Sequence, residues 1–485
     1  MIDSSRLVEE HRRRYGASAR VFVVRAPGRV NLIGEHTDYN GLPVLPMAIE
    51  REICLVATAR DDRTVKVCNL DPVFPDASFE LGRTIPPSRP GSWDNYFKAA
   101  ITGLAEWLSA QSPERNLARG MNVTATGDVP VAAGLSSSSA LVVAAALAFL
   151  ATNGIEVGTQ DDCVLDRIEL AQILAAAERY VGTQGGGMDQ AISLLGTKGN
   201  ALKIEFFPLR TEAVPLPQDY SVVICNSLVK AEKSADALVN YNLGPVTCRL
   251  AAALLGSEFE TRCRPRQKIE RLGDINPESL GMEQGKIDEV VSATLGDGPL
   301  RVSEIALRLH LSVVEVRETY LRMRTGDLLP EPPHGFNLMP RVRHVLTEAR
   351  RVTESVAALR AGDAARFGYL MDESHASCRD DFRISSPELD ALVDAAKAGG
   401  AVGARLTGAG FGGCTVNLVH KETLPRFAGH VRSQYYEQYI TASHPELSDL
   451  AAKTDEHILV CEPAEGASIS PFFASSRTGR GSEMP

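Results

Sequence analysis

The sequence predicts an α+β chain built as two large domains. Three observations point there. The length, 485 residues, suits two large domains or about three ordinary ones. Short β-branched runs and amphipathic helical stretches both occur, without an internal repeat. Near residue 215 the pattern turns from mixed to helix-rich. That sets domains at 1–215 and 216–465, followed by a Gly/Ser-rich tail, 466–485, expected to be disordered.

Composition narrows the class. The chain is 44% hydrophobic and 23% charged, as soluble globular proteins are. A net charge of −10 argues against a general nucleic-acid or membrane surface. The first residues are charged and lack an apolar stretch, so no secretory signal is expected, and the apolar run 140–151 is too short to cross a bilayer. Nine dispersed cysteines, with no C-x-x-C pair or Cys/His metal spacing, point to reduced thiols and a cytoplasmic setting. The oligomeric state is not legible, and a monomer is compatible with everything read here.

In chain order, 5–15 reads as a capped entry helix and 21–25 as a short strand. The strand feeds a glycine-containing loop, 26–41, carrying Arg29, Glu35, His36 and Asp38. Loops place charged groups where ligands reach them, and Gly28 and Gly34 restrain where these can point. Strands follow at 49–59 and 64–69, then a helix from Ser92. Its Trp93 is either a core residue or a flat face for a base.

The chain is organised around 127–151: a turn, Gly134-Leu135, the serines Ser136, Ser137, Ser138 and Ser139, and twelve apolar residues. The apolar run predicts a helix buried on all sides. Its first turn would aim N–H groups and the positive dipole end at the loop, which suits a phosphate. The hydroxyls add donors and a Mg²⁺ ligand. A serine-capped core helix is the plainer alternative.

A helix at 166–180 carries Glu178 near its end, and a glycine-dense turn at 182–187 leads to Asp189 at the next helix start. Asp189 is either a helix cap or a catalytic group. Strands are expected at 201–207 and 220–226, and helices at 339–361 and 388–399. The stretch 301–324 reads as a helical pair of mixed charge, not a DNA-binding face. Gly408, Gly410, Gly412 and Gly413 satisfy G-x-G-x-x-G, yet the context is strand–turn–strand, which excludes a dinucleotide fingerprint. A turn for tight packing near a phosphate or sugar remains.

Together these clusters resemble the GHMP small-molecule kinases, and within them the galactokinase branch. The stretch 28–40, GRVNLIGEHTDYN, is similar to the galactokinase sugar signature, 130–138 to the phosphate motif of the superfamily, and 406–413 to its third motif. The likeness runs from about residue 5 to 463. Residues 178–190 and 248–251 look most like the longer form, which includes N-acetylgalactosamine kinases and plant-type galactokinases. The resemblance implies a two-domain GHMP kinase fold with its active site in the interdomain cleft. It implies transfer of the ATP γ-phosphoryl group to the C1 hydroxyl of galactose, with Mg²⁺.

By the same resemblance, Asp189 and Arg29 are the catalytic pair. Arg29, Glu35, His36, Asp38, Gly186, Asp189 and Tyr241 would contact the sugar. Trp93, Gly134, Leu135, Ser136, Ser137, Ser138 and Ser139 would contact the nucleotide, with Ser138 and Glu178 on the metal. Gly408, Gly410, Gly412 and Gly413 would form a supporting turn. Ser139 stands where alanine is usual, and Leu243-Gly244-Pro245 replaces a segment that usually carries an arginine. The rival functions are N-acetylgalactosamine kinase and a non-catalytic galactose/ATP sensor. Thr37 before Asp38 favours galactose, because the acetylated-sugar kinases more often have isoleucine there.

Overall fold

A computed structural model describes residues 2–472 apart from 19, 83, 112–118, 132, 159–163, 183–185, 230–234, 264, 266–267 and 324–325. The strands of the first half are β1 (Val21–Ile33), β2 (Leu45–Ala59), β3 (Thr64–Asn69), β4 (Ala77–Glu80), β5 (Met121–Gly127), the short pair β6 (Val157–Gly158) and β7 (Leu165–Asp166), and the hairpin β8 (Asn200–Glu205) and β9 (Arg210–Pro215). The rest are β10 (Tyr220–Asn226), β11 (Gly403–Thr407), β12 (Cys414–His420), β13 (Ile458–Cys461) and β14 (Ser468–Phe472). Two sheets organise the molecule. One has the order β14-β1-β2-β5-β3-β4 and the other β11-β12-β10-β13. Residue 215 closes β9, which pairs only with β8 in a separate two-stranded sheet, and β10 after it belongs to the second large sheet.

Helices of the first unit are α1 (Ser4–Tyr15), α2 (Asp94–Gln111), α3 (Ser137–Thr152), α4 (Arg167–Ala177) and α5 (Met188–Leu195). The apolar serine-loop helix is α3, with every residue from Val142 to Leu150 buried. Its Ala/Val/Leu surface packs on the first sheet and on α2 and α5, around Leu55, Phe97, Val123 and Leu170. At ~25 cal/mol per Å² of apolar surface, so buried a helix is held by packing, not propensity. The α1 helix starts at Asp3, whose carboxylate accepts from the Ser5 N–H at 3.0 Å.

The second unit carries α6 (Ala235–Cys263), α7 (Pro277–Leu280), α8 (Gln284–Leu295), α9 (Val302–Leu309), α10 (Val313–Val316), α11 (Leu338–Arg360), α12 (Ala364–Ser377), α13 (Pro387–Ala398) and α14 (Leu424–Val431). The helical pair expected at 301–324 is α9 and α10, packed within this unit.

Two expectations need correction. The first strand does not stop at 25. β1 continues to Ile33, pairing Arg29 with Ala48 and Ile33 with Leu45, with irregularities between Pro27 and Arg29 and between Asn31 and Ile33. Proline and glycine at 27–28 thus bend a strand and do not end it. The tail is not disordered from its first residue either. Ser468–Phe472 form β14, antiparallel to β1, with Pro471 at a sheet edge where its missing N–H is tolerated. Residues 473–485 lie outside the described residues.

Candidate active site

Three turns from distant parts of the chain meet at the start of α3. At Gly134 a Cβ would stand 2.9 Å from the Thr407 carbonyl, and at Gly408 one would stand 2.9 Å from the Gly134 carbonyl. Side chains there would push the serine loop and the third glycine turn apart. Gly408, Gly410, Gly412 and Gly413 all have positive φ (85°, 78°, 127° and 86°), so this turn needs glycine conformationally as well.

Arg29 arises from the bulged part of β1 and is 6% exposed. Its Nε donates to Asp189 Oδ1 at 2.8 Å and its Nη2 to Oδ2 at 3.0 Å, a two-pronged grip on one carboxylate. Its Nη1 donates to the Gly134 carbonyl. Asp189 lies in the first turn of α5, where Gly187, at φ 104°, begins the helix. The carboxylate therefore serves the cluster and not the helix end. Ser136 behaves likewise. It precedes α3 with φ 56° and makes no side-chain cap; its hydroxyl donates to Asp189 Oδ2. That left-handed backbone turns the side chain toward the carboxylate.

Glu178 follows α4 and is 9% exposed. The Ser139 hydroxyl donates to Glu178 Oε1 at 2.6 Å.

The sugar-signature residues form a second group beside the first. Gly186 N donates to Asp38 Oδ2 at 2.9 Å, and a Cβ on Gly186 would stand 2.4 Å from Tyr39 N. His36, at φ 60°, stacks on Phe382 with centroids 4.7 Å apart and lies 6.3 Å from the Tyr241 ring. Its Nδ1 pairs with Tyr39 Oη at 3.0 Å, and its Nε2 reaches the Ala409 carbonyl at 3.4 Å. Glu35 Oε1 accepts from Gly408 N at 2.9 Å and faces Arg405 Nη1 at 3.4 Å.

Burial dominates the electrostatics here. It pushes His36 down to about 3, so the ring is neutral. It lifts Glu35 against the pull of Arg405, and lifts Asp38 against N–H bonds from Tyr39, Gly186 and Met188. The Tyr241 hydroxyl is raised by burial and by the charge of Asp38.

Of the residues singled out in the sequence, Arg29, Gly134, Ser136, Ser139, Glu178, Asp189 and Gly408 come together directly. Glu35, His36, Asp38, Gly186 and Tyr241 join them through Gly408 and the sugar loop. Leu135 contributes its carbonyl to Arg29 N at 3.1 Å. Trp93 is 9% exposed, packs against Phe74 and Phe97 and gives its indole N–H to the Pro75 carbonyl at 3.0 Å.

Residues 9–59 match the galactokinase galactose-binding signature, 95–197 the GHMP kinase N-terminal domain and 355–437 the GHMP kinase C-terminal domain. A galactokinase of Dictyostelium discoideum is 33% identical, with 94% of this chain and 91% of that protein covered. The chain belongs to the galactokinase family. A galactokinase of Roseiflexus sp. (strain RS-1) is 35% identical, covering 90% of this chain and 93% of its own length. Among galactokinases of solved structure, that of Lactococcus lactis complexed with galactose superposes with a TM-score of 0.70 at 26% identity, over 96% of this chain and 99% of that one. Arg29, Glu35, His36 and Asp38 all lie inside the matched galactokinase signature.

Sequence reasoning missed the residues of the second unit that hold this signature. Glu348 Oε1 accepts from Gly34 N at 2.9 Å and from Ser374 Oγ at 2.5 Å, while Arg351 Nε donates to Glu348 Oε2 at 2.7 Å. His344 Nε2 meets the Glu35 carbonyl at 3.0 Å. Thr407 Oγ1 donates to the Asn31 carbonyl at 2.9 Å. Phe382 fills the room beside Gly244, where a Cβ would stand 2.9 Å from its ring. The irregular Leu243-Gly244-Pro245 segment was the one sequence signal near this group.

Proposed function

We propose that the chain transfers the γ-phosphoryl group of ATP to the C1 hydroxyl of galactose, yielding galactose 1-phosphate and ADP. The observation that carries this reading is Asp189, held by Arg29 and Ser136 where the sugar loop, the serine loop and the third glycine turn meet. The C1 oxygen bonds to the γ-phosphorus as the bond to the ADP oxygen breaks, and the hydroxyl proton passes to Asp189. Asp189, already bound by three donor groups of Arg29 and Ser136, chiefly orients that hydroxyl, while Arg29 faces the charge on the moving group. Phosphoryl transfer asks little more of a protein than positioning and charge neutralisation. The N–H groups at the start of α3 suit the phosphates.

Glu178 with the hydroxyls of Ser138 and Ser139 offers the hard oxygen donors that Mg²⁺ takes. Among the described residues no group of three His, Cys, Asp or Glu could hold a metal. That fits an ion shared between one carboxylate and substrate phosphates. When bound, Mg²⁺ neutralises charge on those phosphates.

The partners are then a small sugar and ATP. Among the described residues no helix is long and apolar enough to cross a membrane. A cytoplasmic setting belongs to this reading; eight described cysteines carry free thiols, all but Cys263 buried.

ADP release measured with galactose and N-acetylgalactosamine side by side tests the substrate. A higher kcat/KM for galactose is expected, and preference for the acetylated sugar overturns the choice. Asp189→Asn is expected to lose turnover by ~10²–10⁴-fold while still binding ATP. Unchanged turnover would remove Asp189 from the chemistry.

A further inference from the structure

The four serines at the start of α3 do different work. Ser136 is committed to Asp189. Ser139 is 2% exposed, one turn further in, and its hydroxyl lies between two carboxylates from two other elements. It is 2.6 Å from Glu178 Oε1 and 3.5 Å from Asp189 Oδ2. A serine hydroxyl has one proton to give, and at these distances Glu178 takes it. The Asp189 contact is the weaker one. Ser139 sits in a helix that is buried at Ala140 and from Val142 to Leu150, so its Oγ is a fixed point against which both acidic groups are set.

Resting on the reading of Glu178 as a Mg²⁺ ligand, we propose that Ser139 is a positioning residue. Its hydroxyl sets the Glu178 carboxylate at a fixed place relative to Asp189, so that the cation and the acceptor hydroxyl arrive in register. Carboxylates that bind metals are themselves held by hydrogen bonds, and losing such a support typically costs ~10–100-fold in metal affinity. Among the described residues the Ser139 hydroxyl reaches only Glu178 and, more weakly, Asp189, and no residue of the 28–40 signature, so galactose affinity is expected to survive its loss. A hydroxyl that merely fills space would affect neither.

The test uses the full chain with Mn²⁺ as the probe, titrated by electron paramagnetic resonance in the presence of ADP, and galactose binding followed by calorimetry. Ser139→Ala removes one oxygen, and its thermal midpoint is checked to confirm folding. The expected result is Mn²⁺ affinity weakened by ~10-fold or more with galactose affinity unchanged. Parental Mn²⁺ affinity, or equal losses for Mn²⁺ and galactose, overturns the proposal. Glu178→Gln run in parallel separates the two ideas. If it keeps parental Mn²⁺ affinity, Glu178 is no ligand and the proposal falls with it. If it loses Mn²⁺ while Ser139→Ala does not, Ser139 alone is displaced from the role.

Discussion

A single methyl group added at Gly186 would meet Tyr39 N at 2.4 Å and the Asp38 carboxyl carbon at 2.5 Å. Backbone cannot swing aside as a flexible side chain can, so the sugar-facing turn around Asp38 must move. Gly186→Ala is therefore expected to raise the KM for galactose by about tenfold or more, with the KM for ATP changed far less, as steady-state kinetics would read. An unchanged galactose KM would show that Asp38 does not face the sugar. At this scale the sequence was legible in residue type and not in direction. Four adjacent serines look interchangeable on paper. The positive φ at Ser136 aims one hydroxyl at Asp189, and the next helical turn aims another at Glu178. Backbone dihedrals decided that, and no spacing rule reports them. Trp93 had two readings in the sequence, and its ring packs edge-on against Phe74 and Phe97.

Between elements, the decisive arrangement is the hold of α11 and α12 on the end of β1. Glu348 is fully buried and receives the Gly34 N–H, while Arg351 pairs with its second oxygen. Arg351 and Arg405 pull its pKa down to about 2 in spite of burial, so it is charged at any working pH. Glu348→Gln keeps the shape and removes the charge. It is expected to destabilise the fold by ~1–3 kcal/mol, because Arg351 loses its partner in a buried setting. It should also raise the KM for galactose several-fold more than the KM for ATP. Equal changes in both would show that the helices do not bear on the sugar loop in particular. This arrangement was invisible in the sequence. The contacts of these helices with the sugar signature lie 309 positions apart for His344 with Glu35 and 314 for Glu348 with Gly34, and Arg405 sits in a strand that reads as ordinary β-sheet. Local pattern identifies strands and helices; it carries no record of which distant side chain meets which backbone amide. The glycine clusters were legible because turn chemistry is local, and they marked where the elements converge.

Across the whole molecule, three buried histidines tie stability to pH. Burial holds His11 at about 4, His36 at about 3 and His344 at about 4. His11, on α1, is bonded to Thr124 at 2.9 Å and Thr58 at 3.1 Å, and His344 belongs to the second unit. Unfolded, each would take up a proton near pH ~6.5. Between about 4 and 6.5 the unfolded chain binds more protons, so stability rises with pH across that window and is fully present above it. Glu35 and Asp38, raised by burial, act in the opposite sense at the acidic end. The thermal midpoint is expected to fall as pH drops from 7 to 5, and His11→Asn is expected to flatten that fall. A midpoint constant over this range would contradict the assignment. Of the helices from α6 on, α9, α10, α11 and α13 were legible as amphipathic stretches. The return of the chain to the first sheet was not, because five residues rich in serine give too weak a pattern to name a strand.

That last strand has a consequence for how the protein is made. Val21, near the start, is paired with Phe472, 451 positions later, and among the described residues the outer edge of β1 has no other neighbour in the sheet. At ~5–20 residues per second, a ribosome leaves that edge bare for roughly 20 to 90 s. Bare edges invite pairing with other nascent chains. The strand bearing Arg29 is therefore the first laid down and among the last to be closed off from its neighbours.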